Sequence, residues 1–214
     1  LFAGFVNTLA GSGSLITLPL LMFLGLPANV ANGTNRIGVL VQSLVSSSSF
    51  KKQKLYTVEE GLWMSLPAIA GALLGSLVAV RINERIMELL IGGLLIVMFF
   101  IILYKPEQWV REHALSASMR RRWWMPVIFF LIGIYGGFIQ AGVGFFLLGA
   151  LVLGAGMGLT KANAHKVFIV AAMTALALVV FIISDQVFWL YGVVLAAGQG
   201  VGAWLGSRVA VSWG

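Results

Sequence analysis

Two parts of this chain repeat each other in order and in spacing. The matching segments are 10–13 (AGSG) and 141–144 (AGVG), 35–36 (NR) and 165–166 (HK), and 71–81 and 198–208, which each hold two glycines four apart and then an arginine. All three offsets are about 130 residues, which indicates a duplicated unit. A duplication whose two copies no longer share a functional role would leave the same matching segments. In an apolar chain, however, two copies of one unit are typical of a secondary transporter that binds its solute where the copies meet.

The composition excludes an ordinary soluble domain. Hydrophobic residues make up 60% of the chain and charged residues only 10%, and the mean hydropathy is +0.99. So little polar surface cannot cover a soluble fold, which leaves a polytopic membrane protein embedded in a lipid bilayer. The net charge of +7 does not indicate a nucleic-acid partner, because the cations lie singly or in short clusters between apolar spans, where topology signals belong.

The apolar spans predict an all-α fold of two homologous four-helix repeats, with about eight transmembrane helices when complete and about seven here. The spans are 2–24, 36–50, 58–80, 86–104, 123–155, 167–184 and 187–210. The second span is short, and the fifth is too long for one straight crossing. We therefore expect a break near Gly142, followed by a half-helix, and an equivalent break at 11–13.

Lys and Arg placement predicts the domain order and the orientation. We expect a first transmembrane repeat at 1–104, a cytoplasmic basic linker at 105–122, and a second repeat at 123–214 that lacks its last helix. With four crossings each, the copies would point the same way, and the charge bias favours this parallel arrangement. A re-entrant segment would change the count and invert the second copy.

The glycine breaks are candidate anion sites, because a half-helix beginning there presents backbone N–H groups at membrane depth. Hydroxyls add donors in the first copy, and an amide precedes the second break. The candidate residues are Gly11, Ser12, Gly13, Ser14, Gln140, Gly142 and Gly144. Alternatively, these glycines only let helices pack closely. That structural interpretation is the favoured one for Gly71, Gly75, Gly198 and Gly202.

The second candidate feature is a cation pair. Arg36 and Lys166 occupy equivalent positions, each expected to open an apolar helix, with Asn35 and His165 before them and Thr34 beside Asn35. Such a pair would suit a small, multiply charged oxyanion, so we expect Arg36→Ala to abolish saturable anion binding with the fold intact. Alternatively, both cations extend to the lipid headgroups. His165 could couple transport to protons.

The sequence lacks the residue patterns that proton relays, enzymes and metal sites require. The seven acidic residues lie in loops or at helix ends, which disfavours a buried carboxylate relay. No catalytic set, metal-spaced cluster or phosphate loop is present, so we expect neither an enzyme, a metal nor a cofactor. The serine run 46–49 predicts interhelical hydrogen bonds or a wet vestibule.

The motifs resemble the TauE/SafE family of sulfite and organosulfonate exporters. The resemblance covers nearly the whole chain, and its more specific part is the GTNR stretch 33–36 after the turn 25–27 (GLP), with 136–137, 141–144 and 164–166 in the second copy. It implies a multi-pass carrier in a prokaryotic inner membrane that exports small sulfur-containing anions. Ser12 and Ser14 stand where family members often have a longer glycine run, and Ala164-His165 also departs from the family, which leaves the substrate open. We expect alternating access between two four-helix bundles; the alternatives are an anion channel on the same scaffold and a membrane scaffold protein without a solute.

Overall fold

A computed structural model describes residues 1–103 and 123–212, and the predicted basic linker 105–122 lies outside them. Over these ranges the chain forms nine α-helices and one π-helical turn, and no strand. The helices are α1 (Phe2–Ala10), α2 (Ser14–Phe23), α3 (Ala28–Lys52), α4 (Val58–Ala79), α5 (Glu84–Leu103), α6 (Met125–Phe138), α7 (Val143–Gly149), α8 (Leu159–Ile183) and α9 (Trp189–Ser212), and the π-helical turn is Ala150–Gly154.

Both predicted helix breaks are confirmed. α1 ends at Ala10 and is followed by Gly11 at φ 77°, and α7 begins after Gly142 at φ 72°. Both glycines take the left-handed conformation that an L side chain adopts only with strain. The repeat extends to the loops, since Lys54 (φ 57°) and Asp185 (φ 56°) occupy equivalent positions after α3 and α8.

The expectation that Arg36 and Lys166 open their helices is wrong. α3 begins eight residues before Arg36, after Pro27, and α8 begins seven residues before Lys166, after Gly158. Both helices have 25 residues. The predicted start was late because residues 28–35 are rich in polar side chains, which hydropathy excludes from a span although these are largely buried against neighbouring helices. His165 accordingly lies in α8 and not in a loop.

Each broken span is a hairpin of two short helices. In the second repeat, a Cβ on Gly154 would lie 2.8 Å from the Met125 sulfur, so the end of the π-helical turn returns to the start of α6. In the first repeat, a Cβ on Gly13 would lie 2.2 Å from the Ala3 carbonyl oxygen, so the chain also turns back along α1. These hairpins are re-entrant segments, and three long helices, α3 to α5, follow the first one.

The repeats are inverted, so the parallel arrangement expected from charge is wrong. Phe181, near the end of α8, packs on the Arg36 guanidinium of α3 at 4.5 Å, whereas Phe50, near the end of α3, clusters with Val167 near the start of α8. The equivalent helices α3 and α8 therefore run antiparallel. The re-entrant hairpin accounts for this, because it adds a helix to each unit without adding a crossing.

The repeats also exchange helices, so they do not form the two separate bundles expected from the sequence. The carbonyl oxygens of Phe130 and Ile134 in α6 lie 2.1 and 2.0 Å from where Cβ atoms on Gly71 and Gly75 of α4 would be. Gly202 of α9 lies equally close to Leu1, and α9 also packs along α3. The glycine pairs thus serve close helix packing, as their spacing predicted. Two bodies result, α1–α3–α9 and α4–α6–α8, which meet where α3 crosses α8.

The molecule exposes many apolar side chains and buries polar ones among its hydrophobic clusters. Exposed side chains include Phe23, Ile183 and Leu190, whereas Arg36, Lys166 and several Asn, Gln and Ser residues are buried. Two helical segments, Gly61–Ala79 and Leu159–Ile183, are long and apolar enough to cross a membrane by length and composition. This distribution is consistent with a polytopic membrane protein.

The inverted repeat predicts which membrane face each loop occupies. Gln53 and Ser184 are exposed and follow α3 and α8 at equivalent positions. Because the chain has no cysteine, Gln53→Cys and Ser184→Cys give single reactive thiols. We expect a membrane-impermeant thiol reagent to label the two variants from opposite faces. Labelling of both from one face would contradict the inverted arrangement.

Candidate functional site

The two helix breaks touch each other at the centre of the molecule. A Cβ on Gly11 would lie 2.5 Å from the Gly144 carbonyl carbon, and a Cβ on Gly144 would lie 2.6 Å from the Gly11 Cα. Only glycine permits so close an approach of two backbones. The site is therefore built around a contact between one hairpin of each repeat.

Arg36 binds the end of the opposite hairpin. Its guanidinium donates to the carbonyl oxygens of Gly136 (3.1 Å), Gly137 (2.6 Å) and Phe138 (3.5 Å), the last residues of α6. These carbonyls lack partners within their own helix and carry the negative end of its dipole. Arg36 is fully buried, so the alternative that it extends to the headgroups is wrong.

Lys166 makes the equivalent contact with the first repeat. Its ammonium donates to the carbonyl oxygens of Thr8 (3.0 Å) and Asn7 (3.3 Å), near the end of α1. Lys166 is 1% exposed, so it does not extend to the headgroups either. The matched cations thus satisfy carbonyl groups at the two breaks, each across the boundary between the repeats.

A polar cavity lies beside Lys166. Its lining is Asn7, Gly11, Ser14, Val39, Gln42, Ser43, Gln140, Val143, Gly144, Lys166, Val167 and Val170. The empty space between these residues is about 260 Å³ when the part open to solvent is counted, but the enclosed part has room for about one water molecule. A solute the size of an oxyanion therefore requires the lining to move apart.

Several polar atoms of the lining have no hydrogen-bond partner. These buried atoms are Ser43 Oγ, Gln42 Oε1 and Gln140 Oε1. A buried polar atom without a partner costs stability, so three of them around one cavity indicate a place for a water or a solute. Because the two ends of a glutamine amide are assigned from their surroundings, either end of Gln42 can face the cavity.

Five of the residues predicted from sequence line this cavity: Gly11, Ser14, Gln140, Gly144 and Lys166. Seven others do not: Arg36, Asn35, His165, Thr34, Ser12, Gly13 and Gly142. Asn35 does not line the cavity but contacts Ser14, which does. Its amide N–H donates to Ser14 Oγ at 3.1 Å, and its amide oxygen accepts from the Thr17 hydroxyl at 2.5 Å. It thereby orients Ser14 toward the cavity.

The remaining predicted residues serve structural contacts. The Thr34 hydroxyl accepts from the Phe188 N–H at 2.8 Å, and the Gly13 N–H donates to Asn7 Oδ1. His165 Nδ1 lies 2.9 Å from the Lys161 carbonyl oxygen, and its ring packs edge-on against Tyr56. The N–H groups after the first break are thus partly used within the hairpin.

Sequence reasoning missed Gln42 and Ser43. Asn35, Val39, Gln42 and Ser46 recur at helical spacing along α3 and are all buried. That polar stripe is the signal that could have found them. The following serine run forms interhelical bonds, as one interpretation predicted: Ser46 with Thr8, and Ser49 with Ser207, both 2.9 Å.

The electrostatic balance of the described interior is positive. Its buried polar residues include Arg36 and Lys166 but neither Asp nor Glu, and no group of three His, Asp or Glu residues there could hold a metal ion. A buried cation needs carbonyls or an anion to offset its desolvation. The cavity beside Lys166 is therefore suited to an anion.

Inverted repeats with broken helices that meet at a buried cavity are typical of membrane transporters. Residues 1–213 match the family described as "Sulfite exporter TauE/SafE". The chain belongs to this family, as the resemblance indicated.

Its relatives are named as transporters. The chain is 33% identical to "Probable membrane transporter protein ORF9" of Sinorhizobium sp, over 99% of this chain and 80% of that protein. It is 30% identical to "Probable membrane transporter protein YfcA" of Escherichia coli (strain K12), over 100% of this chain and 79% of the relative. A "Probable membrane transporter protein" of Haemophilus influenzae is 27% identical, over 99% of this chain and 82% of its own length. No solved structure matches the chain.

The glycine contact predicts an order of stabilities. Gly11→Ala places a side chain at φ 77° and into the Gly144 backbone, so it combines backbone strain of roughly 1–3 kcal/mol with overpacking of similar size. Gly144→Ala incurs only the overpacking. Gly25→Ala is the control, since Gly25 has φ 90° but no atom within 4 Å of the added Cβ.

The measurement is the melting temperature of each variant in detergent. We expect Gly11→Ala to lower it most, Gly144→Ala less, and Gly25→Ala least. Equal losses for Gly11→Ala and Gly25→Ala would mean that the contact between the breaks contributes nothing.

The Arg36 contacts change the expectation for Arg36→Ala. Removing the guanidinium leaves the Gly136 and Gly137 carbonyls at the end of α6 without this donor, whereas the Phe138 carbonyl keeps the Asn32 amide at 2.7 Å. Each carbonyl that stays unsatisfied costs about 1–3 kcal/mol. We expect a lower melting temperature and less folded protein, with Arg36→Lys intermediate. An unchanged melting temperature would show that these carbonyls find other donors.

Proposed function

We propose that this protein is a secondary transporter that exports a small sulfur-containing anion, sulfite or an organosulfonate, across a prokaryotic inner membrane as a multi-pass protein. The observation that carries the proposal is the cavity where the repeats meet, which combines the Lys166 ammonium with the donors of Ser14, Ser43 and Gln42. One ammonium and several neutral donors can replace the hydration shell of an oxyanion. Sulfur enters the proposal from the family's description alone.

The separation of the two cations favours a singly charged substrate. Arg36 does not line the cavity, and three carbonyl oxygens occupy its guanidinium. A doubly charged anion would face only one buried cation there and would lose much of its hydration without compensation. Valines 39, 143, 167 and 170 form the rest of the lining and suit a small apolar group, so an organosulfonate fits better than inorganic sulfate.

The proposed mechanism is alternating access. The cavity lies where α3 crosses α8, between the bodies α1–α3–α9 and α4–α6–α8. Phe50 closes the interface toward one end of the helices and Phe181 toward the other, and both are fully buried. Rocking of one body against the other would open one end at a time.

Two alternatives make different predictions. An anion channel on this scaffold would pass anions without saturation or counterflow. A membrane scaffold protein would show no stabilisation by any anion, whereas binding to the folded state must raise the melting temperature. We propose no enzymatic reaction and no cofactor.

The test is uptake of labelled sulfite into proteoliposomes, with methanesulfonate, sulfoacetate, sulfate and chloride as competitors. We expect saturable uptake that methanesulfonate, a monoanion, inhibits more strongly than the dianions sulfoacetate and sulfate do. Lys166→Met should reduce uptake by on the order of tenfold or more, because it removes the cavity's charge at little change in volume. Lys161→Met is the matched control, since Lys161 lies on the same helix outside the cavity lining.

Normal uptake by Lys166→Met would contradict the assignment of this cavity. Uptake that never saturates would favour the channel. Proton coupling is tested by repeating the assay at two pH values with wild type and His165→Gln: a pH dependence that His165→Gln removes would assign the coupling to His165.

A further inference from the structure

We propose that Lys166 is a latch that substrate opens: its ammonium holds the end of α1 when the cavity is empty and transfers to the anion when one binds. The transfer releases α1 from α8 and so links occupancy to movement. This inference rests on the proposed function, because it requires an anion in the cavity.

The contacts of Lys166 place it in both roles. Its Nζ lies 3.0 Å from the Thr8 carbonyl oxygen and 3.3 Å from that of Asn7, and Lys166 and Asn7 both line the cavity. An anionic oxygen is a stronger acceptor for an ammonium than a neutral carbonyl oxygen. An anion that enters the cavity therefore competes directly for the bonds that tie α8 to α1.

Arg36, one residue out of register with Lys166, makes a similar contact away from the cavity that Lys166 lines. Its guanidinium spans three carbonyl groups of α6 and stacks on Phe181 at 4.5 Å, and it does not line the cavity. Bidentate contacts and stacking hold a guanidinium more firmly than point contacts hold an ammonium. The two contacts therefore differ. The Arg36 contact stays in place, whereas the Lys166 contact borders the cavity and can be reached by substrate.

The rest of α1 decides what moves when the latch opens. Gly4 packs on Gln199 of α9, and the Thr8 hydroxyl bonds Ser46 of α3 at 2.9 Å. α1 is thus attached to α3 and α9, and Lys166 attaches it to α8. Loss of the Lys166 bonds loosens the contact between the bodies on the side of α1, while Arg36 maintains the contact on the other side.

Equivalent positions in the two repeats provide the test. Thr8 and Ile139 occupy equivalent positions in the two repeats, and both are buried. Thr8 lies near the end of α1, which Lys166 contacts, and Ile139 follows the end of α6, which Arg36 contacts. Thr8→Cys and Ile139→Cys give single thiols in a chain without cysteine. The measurement is the alkylation rate of each thiol with and without methanesulfonate, a monoanion that, unlike sulfite, does not consume the reagent.

We expect saturating methanesulfonate to raise the alkylation rate of Thr8→Cys on the order of tenfold, since charge-assisted bonds of this kind shift a local opening equilibrium by at least that factor. The rate for Ile139→Cys should not change. With Lys166→Met added, Thr8→Cys should react fast without any anion, and methanesulfonate should have no further effect.

The outcomes separate the latch from the transport proposal. If methanesulfonate raises the melting temperature but leaves the Thr8→Cys rate unchanged, the latch is wrong and the binding site stands. If both thiols accelerate equally, the asymmetry is wrong. If no anion, sulfite included, changes the melting temperature or is transported, the proposed function itself fails. Should the Lys166→Met variant not fold, the wild-type comparison of the two thiols decides.

Discussion

Two buried cations hold the ends of two broken helices, and the rest of the structure depends on this arrangement. A helix that stops inside a membrane leaves carbonyl groups that water cannot reach, so the protein must supply donors. Arg36 supplies them for α6 and Lys166 for α1, each from the other repeat. Because the donors come from the partner repeat, neither hairpin is complete without the other half of the chain.

The same constraint gives the site its asymmetry. Inverted duplication places related groups on opposite sides of the contact between Gly11 and Gly144, and the cavity described above lies on the side of Lys166. Side chains explain the difference, because Asn7, Ser14 and Gln42 correspond in the repeat to Phe138, Phe145 and Met173. Large apolar groups thus stand at the positions equivalent to half of the polar lining, and one of the two symmetric positions retains the chemistry of a site.

Family membership and the cavity answer different questions. The relatives' names establish a membrane transporter, and the family's description supplies sulfite. The cavity adds what an anion would meet: one ammonium, several amides and hydroxyls, and a wall of valines. The proposed preference for a singly charged solute with a small apolar part rests on that lining.

The sequence by itself determined the features that local chemistry encodes. Paired glycines in overlong spans predicted the breaks at Gly11 and Gly142, because only glycine takes the left-handed turn there. Matched spacing also identified Arg36 and Lys166 as a pair, although α3 and α8, which are equally long, place them one residue out of register. Only the tertiary structure decided that the repeats are inverted, that α3 and α8 begin well before their cations, and that Gln42 and Ser43 join Lys166 while Arg36 does not. The spacing of motifs along the chain is the same for parallel and for inverted repeats, so it cannot give their relative orientation. The neighbours of a polar side chain depend on which distant helices pack against it, and the sequence does not state that.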